Sequence, residues 1–597
     1  MDSQWRWLHD ARKNKYENCI SGTPPAWATS ICSSNQECAA GCALEGMSTS
    51  EYGHKYGIST VPGGVDLKFK NGESIGSRLY MMADEDRYEM FKLLGKEFTL
   101  DVDVSTLECG LNGAVYFVEM KEDGGMGEGG NTAGAKLGTG YCDAQCPHDL
   151  KFLAGEANVK GWHEAKAGPE GHYGYCCAEM DIWEANREAT AFTTHACNIE
   201  GPLKCEGTGK NTCGDVPEDC KCCGEEDCSC CGRYKGVCDK DGCDYNHFRL
   251  GDENYYGHGS SFTVDSSKPI TVVTQFLTDD AGDLSEIRRL YVQDGKVIKN
   301  SKVTNLDGFE GDSITNEMCL AQKESFDNPD DFTPKDRLAG MGKALKRGMV
   351  LVLSLWDDMK TQMDWLDSVA PVDQPDRFPV TKPGVKRGPC KNGDGDPHKI
   401  RARIPNAHVT YANIRIGEIG STYTAKAEET VKQNNWDELP EGGTEGKSGG
   451  DGGEEHPGFP PVAGTFDDFP AFPQVSREAE PEFSEPECCT AALESSDACG
   501  TCWQGAAISS GWCAQEDRCT SDCGGTWCPN GAQKKFEMLP AGAAGLVPGR
   551  LPSAIPVLAA AAALLLPLSA SLAWLRARRG AAAARSYETL EPSTGVA

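Results

Sequence analysis

Between residues 97 and 105 apolar and polar side chains alternate. Phe98, Leu100, Val102 and Val104 share one side, and Thr99, Asp101, Asp103 and Ser105 the other. A period of two is the mark of a half-buried strand. Met349 to Trp356 is almost continuously apolar, as in a strand covered on both faces. Ile287 to Ile298 reads as a hairpin turning at Asp294-Gly295, a pair suited to left-handed turn backbone. Val409 to Ile416 predicts a last strand. Helical periodicity is scarce, and Asp84 to Leu94 is the best short helix candidate. Many strands and few helices predict an all-β sandwich or barrel over residues 1–425.

The pattern changes beyond that point. Residues 426–487 are rich in Glu, Gly and Pro and predict a solvated linker, because they cannot bury enough apolar surface to fold. Residues 488–530 hold eight cysteines and three tryptophans, Trp503, Trp512 and Trp527. A segment so short has little core, so disulfides are expected to hold it. Its tryptophans either pack the module or offer platforms for sugar rings. A second linker, 531–553, leads to Ala554–Leu575, 22 residues without a charge. That suffices for a transmembrane helix, which needs about 20 apolar residues. Arg576, Arg578 and Arg579 follow and assign the tail, 576–597, to the cytoplasm. A cleaved lipid-anchor signal is the competing reading, but it wants the apolar run at the extreme C-terminus.

Composition narrows the function. The net charge of −32 argues against a nucleic-acid partner, which needs a basic footprint. The 69 glycines imply long loops. The 30 cysteines point to disulfides and an export route. Met1–Trp7 contains no apolar leader, so a truncated N-terminus with the signal peptide missing is expected.

The chemistry concentrates in Cys176–Asn186, where Glu179, Asp181 and Glu184 stand within six residues. On a strand Glu179 and Asp181 share a face, and Glu184, at an odd offset, points away. A β-bulge after Asp181 would return Glu184 to that face. Two carboxylates about 5–5.5 Å apart are the equipment of retaining glycoside hydrolysis, one as nucleophile and one as acid/base. A third acid between them helps keep the acid protonated by like-charge repulsion. A merely solvated acidic strand face is the bland alternative. His195, eleven residues after Glu184, is either structural or tunes the acid.

This segment resembles glycoside hydrolase family 7, the cellobiohydrolases and endoglucanases. The likeness extends over about residues 4 to 420, through Tyr80–Ala83, Glu97–Ser105, Cys109–Phe117, Gly138–Pro147 and Ser354–Asp358. It implies a concanavalin-like β-sandwich (jelly roll) with long loops roofing a substrate groove. It implies Glu179 as nucleophile, Asp181 as supporting acid, Glu184 as acid/base and His195 as the active-site histidine. Trp5, Trp7, Trp356 and Trp365 match tryptophans that stack on glucose rings, whose C–H faces suit aromatic cover. Asn112, Tyr116, Gln145 and Lys151 match residues of the cleft centre, and Arg233, Asp241, Arg249 and Arg387 match the product side. No cofactor and no metal are expected.

The resemblance also implies seven disulfides: Cys19–Cys42, Cys32–Cys38, Cys109–Cys390, Cys142–Cys177, Cys146–Cys176, Cys197–Cys238 and Cys243–Cys319. The chain departs from the family in four places. Ala43 stands where a partner cysteine is common. Cys205–Cys231 is longer and denser in cysteine, suiting disulfides better than zinc. Gly161–Tyr175 is short for a tunnel-closing loop. Met359 and Lys360 replace tyrosines. The expected activity is release of cellobiose from cellulose chain ends. An open-cleft endo-β-1,4-glucanase is the alternative, and a β-1,3-glucanase or non-catalytic glucan-binding surface protein comes behind. The expected partners are β-1,4-glucan chains and a membrane, for a monomer whose catalytic domain is extracellular or vacuolar-lumenal, held as a type I protein.

Overall fold

The computed structural model describes residues 1–424, apart from 13–16, 23–24, 166–167, 207–211, 215–231 and 373, together with residues 502–503 and 526–527. Cys502–Trp503 pairs antiparallel with Thr526–Trp527. The expected linkers, the rest of the cysteine-rich module, the membrane span and the tail lie outside the described residues. Among the described residues no helix is long and apolar enough to cross a membrane.

Two antiparallel sheets form the body. The front sheet runs in the order Met90–Phe91, Met349–Asp357, Leu111–Val118, Glu179–Ala185, Thr190–His195, Cys243–Asn246, and Ser77–Tyr80 also pairs with Met349–Asp357. The back sheet runs Lys296–Lys299, Leu284–Gln293, Ile270–Thr278, Glu97–Asp103, His408–Gly417, Gly64–Lys68, Ile58–Val61, with Ile314–Thr315 beside Leu284–Gln293. Phe98, Leu100 and Val102 from the back sheet meet Val115, Phe117, Ile182, Trp183, Leu351 and Leu353 from the front, all in one core. Burying such side chains drives the two faces together, at about 25 cal/mol per Å² of apolar surface.

Met349–Leu355 is buried throughout, as its unbroken apolar run predicts. Leu351, Leu353 and Leu355 enter the intersheet core. Val350 and Val352 enter a second cluster on the outer face of the front sheet, with Tyr80, Tyr116 and Tyr141. The hairpin turns where expected. Gln293 opposes Lys296, and Asp294 and Gly295 both take positive φ, 55° and 80°. That is the type I′ geometry that matches strand twist.

The expected helix at Asp84–Leu94 does not form. Asp84 accepts from the Asp86 amide and binds Arg87 in a turn, and Met90–Phe91 adds to the edge of Met349–Asp357. Tertiary pairing overrides a weak local periodicity here. Among the described residues the two longest helices, Asn316–Ser325 and Arg337–Arg347, lie elsewhere. The second buries Leu338, Met341, Ala344 and Leu345 along one face, but Gly340 and Gly342 dilute its sequence signal.

Among the described residues all seven disulfides implied by the resemblance are present, together with Cys205–Cys213. Cys109–Cys390 closes the longest stretch, 281 residues. It fixes the loop that carries Trp365 beside the start of Leu111–Val118, where the Gly110 amide also donates to Asp367 at 2.7 Å. Loop entropy gives such a bridge a stabilising effect on the order of 5 kcal/mol. Replacing both cysteines by Ser is expected to lower the unfolding free energy by that amount in urea unfolding, with a steeper slope because the unbridged denatured chain is less compact.

Candidate active site

The register around Glu179–Ala185 supplies the bulge. Val118 opposes Glu179 and Tyr116 opposes Asp181, but Val115 opposes Trp183, so Ile182 is an extra residue. On the other edge Asp181 opposes Thr193 and Glu184 opposes Ala191, leaving Phe192 against two residues. Ile182 and Trp183 both enter the core, and Glu184 returns to the face of Glu179 and Asp181. The three carboxylates are only 8%, 4% and 9% exposed, in chain order.

Each acid has a defined partner. The Ala144 amide donates to Glu179 Oε2 at 3.0 Å. That amide is held there by Cys142–Cys177 and Cys146–Cys176, which clamp Gly138–Pro147 over the strand. Asn112 Nδ2 donates to Glu184 Oε1 at 3.0 Å, and Asn112 Oδ1 accepts the Ala185 amide at 3.1 Å, so one buried side chain ties the Glu184 carboxyl to the backbone of the next residue. His195 Nε2 lies 3.1 Å from Asp181 Oδ2, and its Nδ1 lies 2.7 Å from the Asp239 carbonyl oxygen.

Burial pushes Glu179 and Glu184 well above the usual carboxylate range, and the nearby Asp181 charge pushes both further. Asp143, also raised by burial, adds to the repulsion on Glu179. Burial works against the His195 imidazolium, but the Asp181 carboxylate outweighs it and lifts the pKa to about 9. Asp181 and His195 therefore form an ion pair beside two carboxyls biased toward protonation. Glu179, Asp181 and His195 offer atoms within 4.8 Å of one another, close enough for a cation. Asp181 and His195 already bond each other, and the raised pKa of the Glu179 carboxyl opposes metal ligation.

The remaining expected residues fall into groups. Trp356 is the cross-strand partner of Asn112 and stacks on Trp365 at 6.3 Å, which places an aromatic pair at the Glu184 end. Trp365 Nε1 donates to Asp358. Trp5 packs on the core and donates to the Ile75 carbonyl, while Trp7 is 40% exposed and donates to Asn18. Tyr116 shares a 3.0 Å hydrogen bond with Tyr141, which donates to Asp143 at 2.7 Å. Gln145 donates to the Lys240 carbonyl. Lys151 donates to the Gln4 carbonyl, so its ammonium holds the N-terminal turn. Arg233 pairs with Asp241, whose carboxyl is held down at about 2 because Arg233 outweighs its burial. Arg249 and Arg387 both pair with Asp244.

Sequence reasoning passed over Asp143, Tyr141 and Asp244. Asp143 and Tyr141 stood inside the Gly138–Pro147 motif, so their signal was present. The Asp239 carbonyl that orients His195 has no sequence signature, because every residue carries one.

An ion pair joins two loops. Lys360 Nζ lies 2.7 Å from Glu170 Oε1. Lys360 follows Asp357, which pairs with Leu111, whereas Glu170 belongs to the hairpin before Glu179, which pairs with Val118. The loops leave opposite ends of the strands, some seven residues or ~20 Å apart, and must cross the sheet to touch.

The comparisons agree with this geometry. The family model for glycosyl hydrolase family 7 matches residues 1–423. A family 7 cellobiohydrolase from Daphnia pulex is 44% identical over 71% of this chain and 93% of its own, with a TM-score of 0.64. A cellobiohydrolase from Melanocarpus albomyces, solved with cellotetraose, is 39% identical over 71% of this chain and 92% of its own, with a TM-score of 0.62. The endocellulase EGI of Humicola insolens is 36% identical over the same shares, with a TM-score of 0.57. With a family match across the whole sandwich and three carboxylates on one face of it, this chain belongs to glycosyl hydrolase family 7.

Proposed function

We propose that the chain hydrolyses β-1,4-glucosidic bonds of cellulose with retention, and that it releases cellobiose from chain ends. The observation that carries the chemistry is the bulge at Ile182, which sets Glu184 on the face of Glu179 and Asp181. Glu179 attacks the anomeric carbon while Glu184 gives its proton to the departing glycosidic oxygen. A glycosyl-enzyme ester results. Glu184, now a carboxylate, takes a proton from water, and the hydroxide oxygen displaces Glu179. The Ala144 amide stabilises the Glu179 anion, and burial, reinforced by repulsion from Asp181, keeps the proton on Glu184. Trp356 and Trp365 cover the C–H faces of glucose units, and the Asp244-held arginines bind hydroxyls on the product side.

The Lys360–Glu170 contact supports chain-end action, because it roofs the groove although the Gly161–Tyr175 segment is short. An open-cleft endo-acting enzyme is the second reading, favoured by the likeness to the Humicola endocellulase. The apolar stretch Ala554–Leu575 supports a membrane-tethered enzyme acting outside the cell or in a vacuole.

Product analysis on the full chain tests this reading. Soluble cellobiose is expected to dominate from crystalline cellulose, with little loss of viscosity from carboxymethylcellulose. Rapid viscosity loss would establish the endo reading instead.

A further inference from the structure

Arg289 lies on Leu284–Gln293 in the back sheet, between Ile287 and Tyr291 on the inward face, and it is fully buried. Among the described residues no carboxylate forms an ion pair with it. Its Nη2 donates to the carbonyl oxygen of Ile182, the extra residue of the bulge. Its guanidinium lies 4.1 Å over the ring of Phe192, the residue that faces the bulge from the next strand. One side chain from the opposite sheet thus touches both edges of the irregularity that aims Glu184.

Burying an unpaired charge is costly, so its retention calls for a reason. A bulge takes a carbonyl out of the ladder. Here that carbonyl faces a dry core, where an unsatisfied acceptor is penalised. Without a donor, the strand recovers its hydrogen bonds by slipping one residue. A slip of one residue turns every following side chain to the other face. Glu184 would then point into the core.

We infer that Arg289 is a positioning residue that pins the bulge at Ile182 and so holds the Glu184 carboxyl on the cleft face. This rests on the reading of Glu184 as the general acid.

The test compares two aryl cellobiosides. A phenyl leaving group needs a proton from the enzyme, whereas a 2,4-dinitrophenyl group departs without one. Positioned acids contribute 10²–10⁴-fold. Arg289→Met is expected to lose on the order of 10²-fold in kcat/KM on the phenyl substrate and under about fivefold on the dinitrophenyl substrate. Arg289→Lys, which keeps a donor and the charge, is expected to recover part of the phenyl loss. If Arg289→Met does not fold, Arg289→Lys, with its melting temperature measured, decides by the same ratio. Equal losses on both substrates, or none on either, would overturn the inference. Glu184→Gln is the control. If it lacks the leaving-group signature, the assignment of the acid fails, and that failure is distinct from one confined to Arg289.

Discussion

Glu179→Gln is expected to lower cellulose hydrolysis by at least about 10⁴-fold, the scale on which loss of a catalytic nucleophile is felt, while the protein still binds cellulose. Glutamine keeps the shape of the side chain and can still accept the Ala144 amide bond. It cannot form the ester on which the retaining route depends. Glu179 is 8% exposed, and its carboxyl carries an unfavourable desolvation and the repulsion of Asp181 and Asp143. The neutral amide removes both, so the variant is expected to fold at least as firmly as the parent. Reducing-sugar release measures the loss, and sedimentation with cellulose measures retained binding. Full residual activity in the folded variant would remove Glu179 from the nucleophile role and return the acidic strand to a structural one.

Strands with strict patterns were legible in the sequence because their two faces meet different environments. Phe98, Leu100 and Val102 face the core, and the unbroken run from Met349 reflects burial on both sides. Asp84–Leu94 misled because a partner strand supplies its hydrogen bonds, and local periodicity cannot anticipate a partner. The acids were legible as a motif, but spacing alone set Glu184 on the wrong face. Whether a bulge corrects it depends on Val115 and Phe192, which lie on two other strands. The same holds for Asn112 and His195. Each is named by resemblance, yet what each does rests on partners far along the chain, Glu184 and the Asp239 carbonyl. Arg289 was hidden for a further reason. A charged residue in an alternating strand reads as the exposed position, and here it is the inward one.

Asp181 and His195 should displace the pH profile in opposite directions. Glu184 acts protonated in the first step, so the alkaline limb of kcat/KM follows its pKa. Burial raises that pKa first, Asp181 raises it further, and His195 lowers it by a smaller amount. Asp181→Asn removes the repulsion. It also lets the imidazole, held at about 9 against burial by that carboxylate, fall back toward neutrality. The larger effect prevails, and the alkaline limb moves to lower pH. Glu179 is freed from the same repulsion, so its pKa falls too and the acid limb moves the same way. His195→Gln takes away the cation and leaves the Asp181 charge unopposed. Glu184 then holds its proton to higher pH, and the alkaline limb moves up. Profiles of both variants on phenyl cellobioside decide the matter. Shifts in the same direction, or no shift in either, would show that the titrating acid is not governed by this pair.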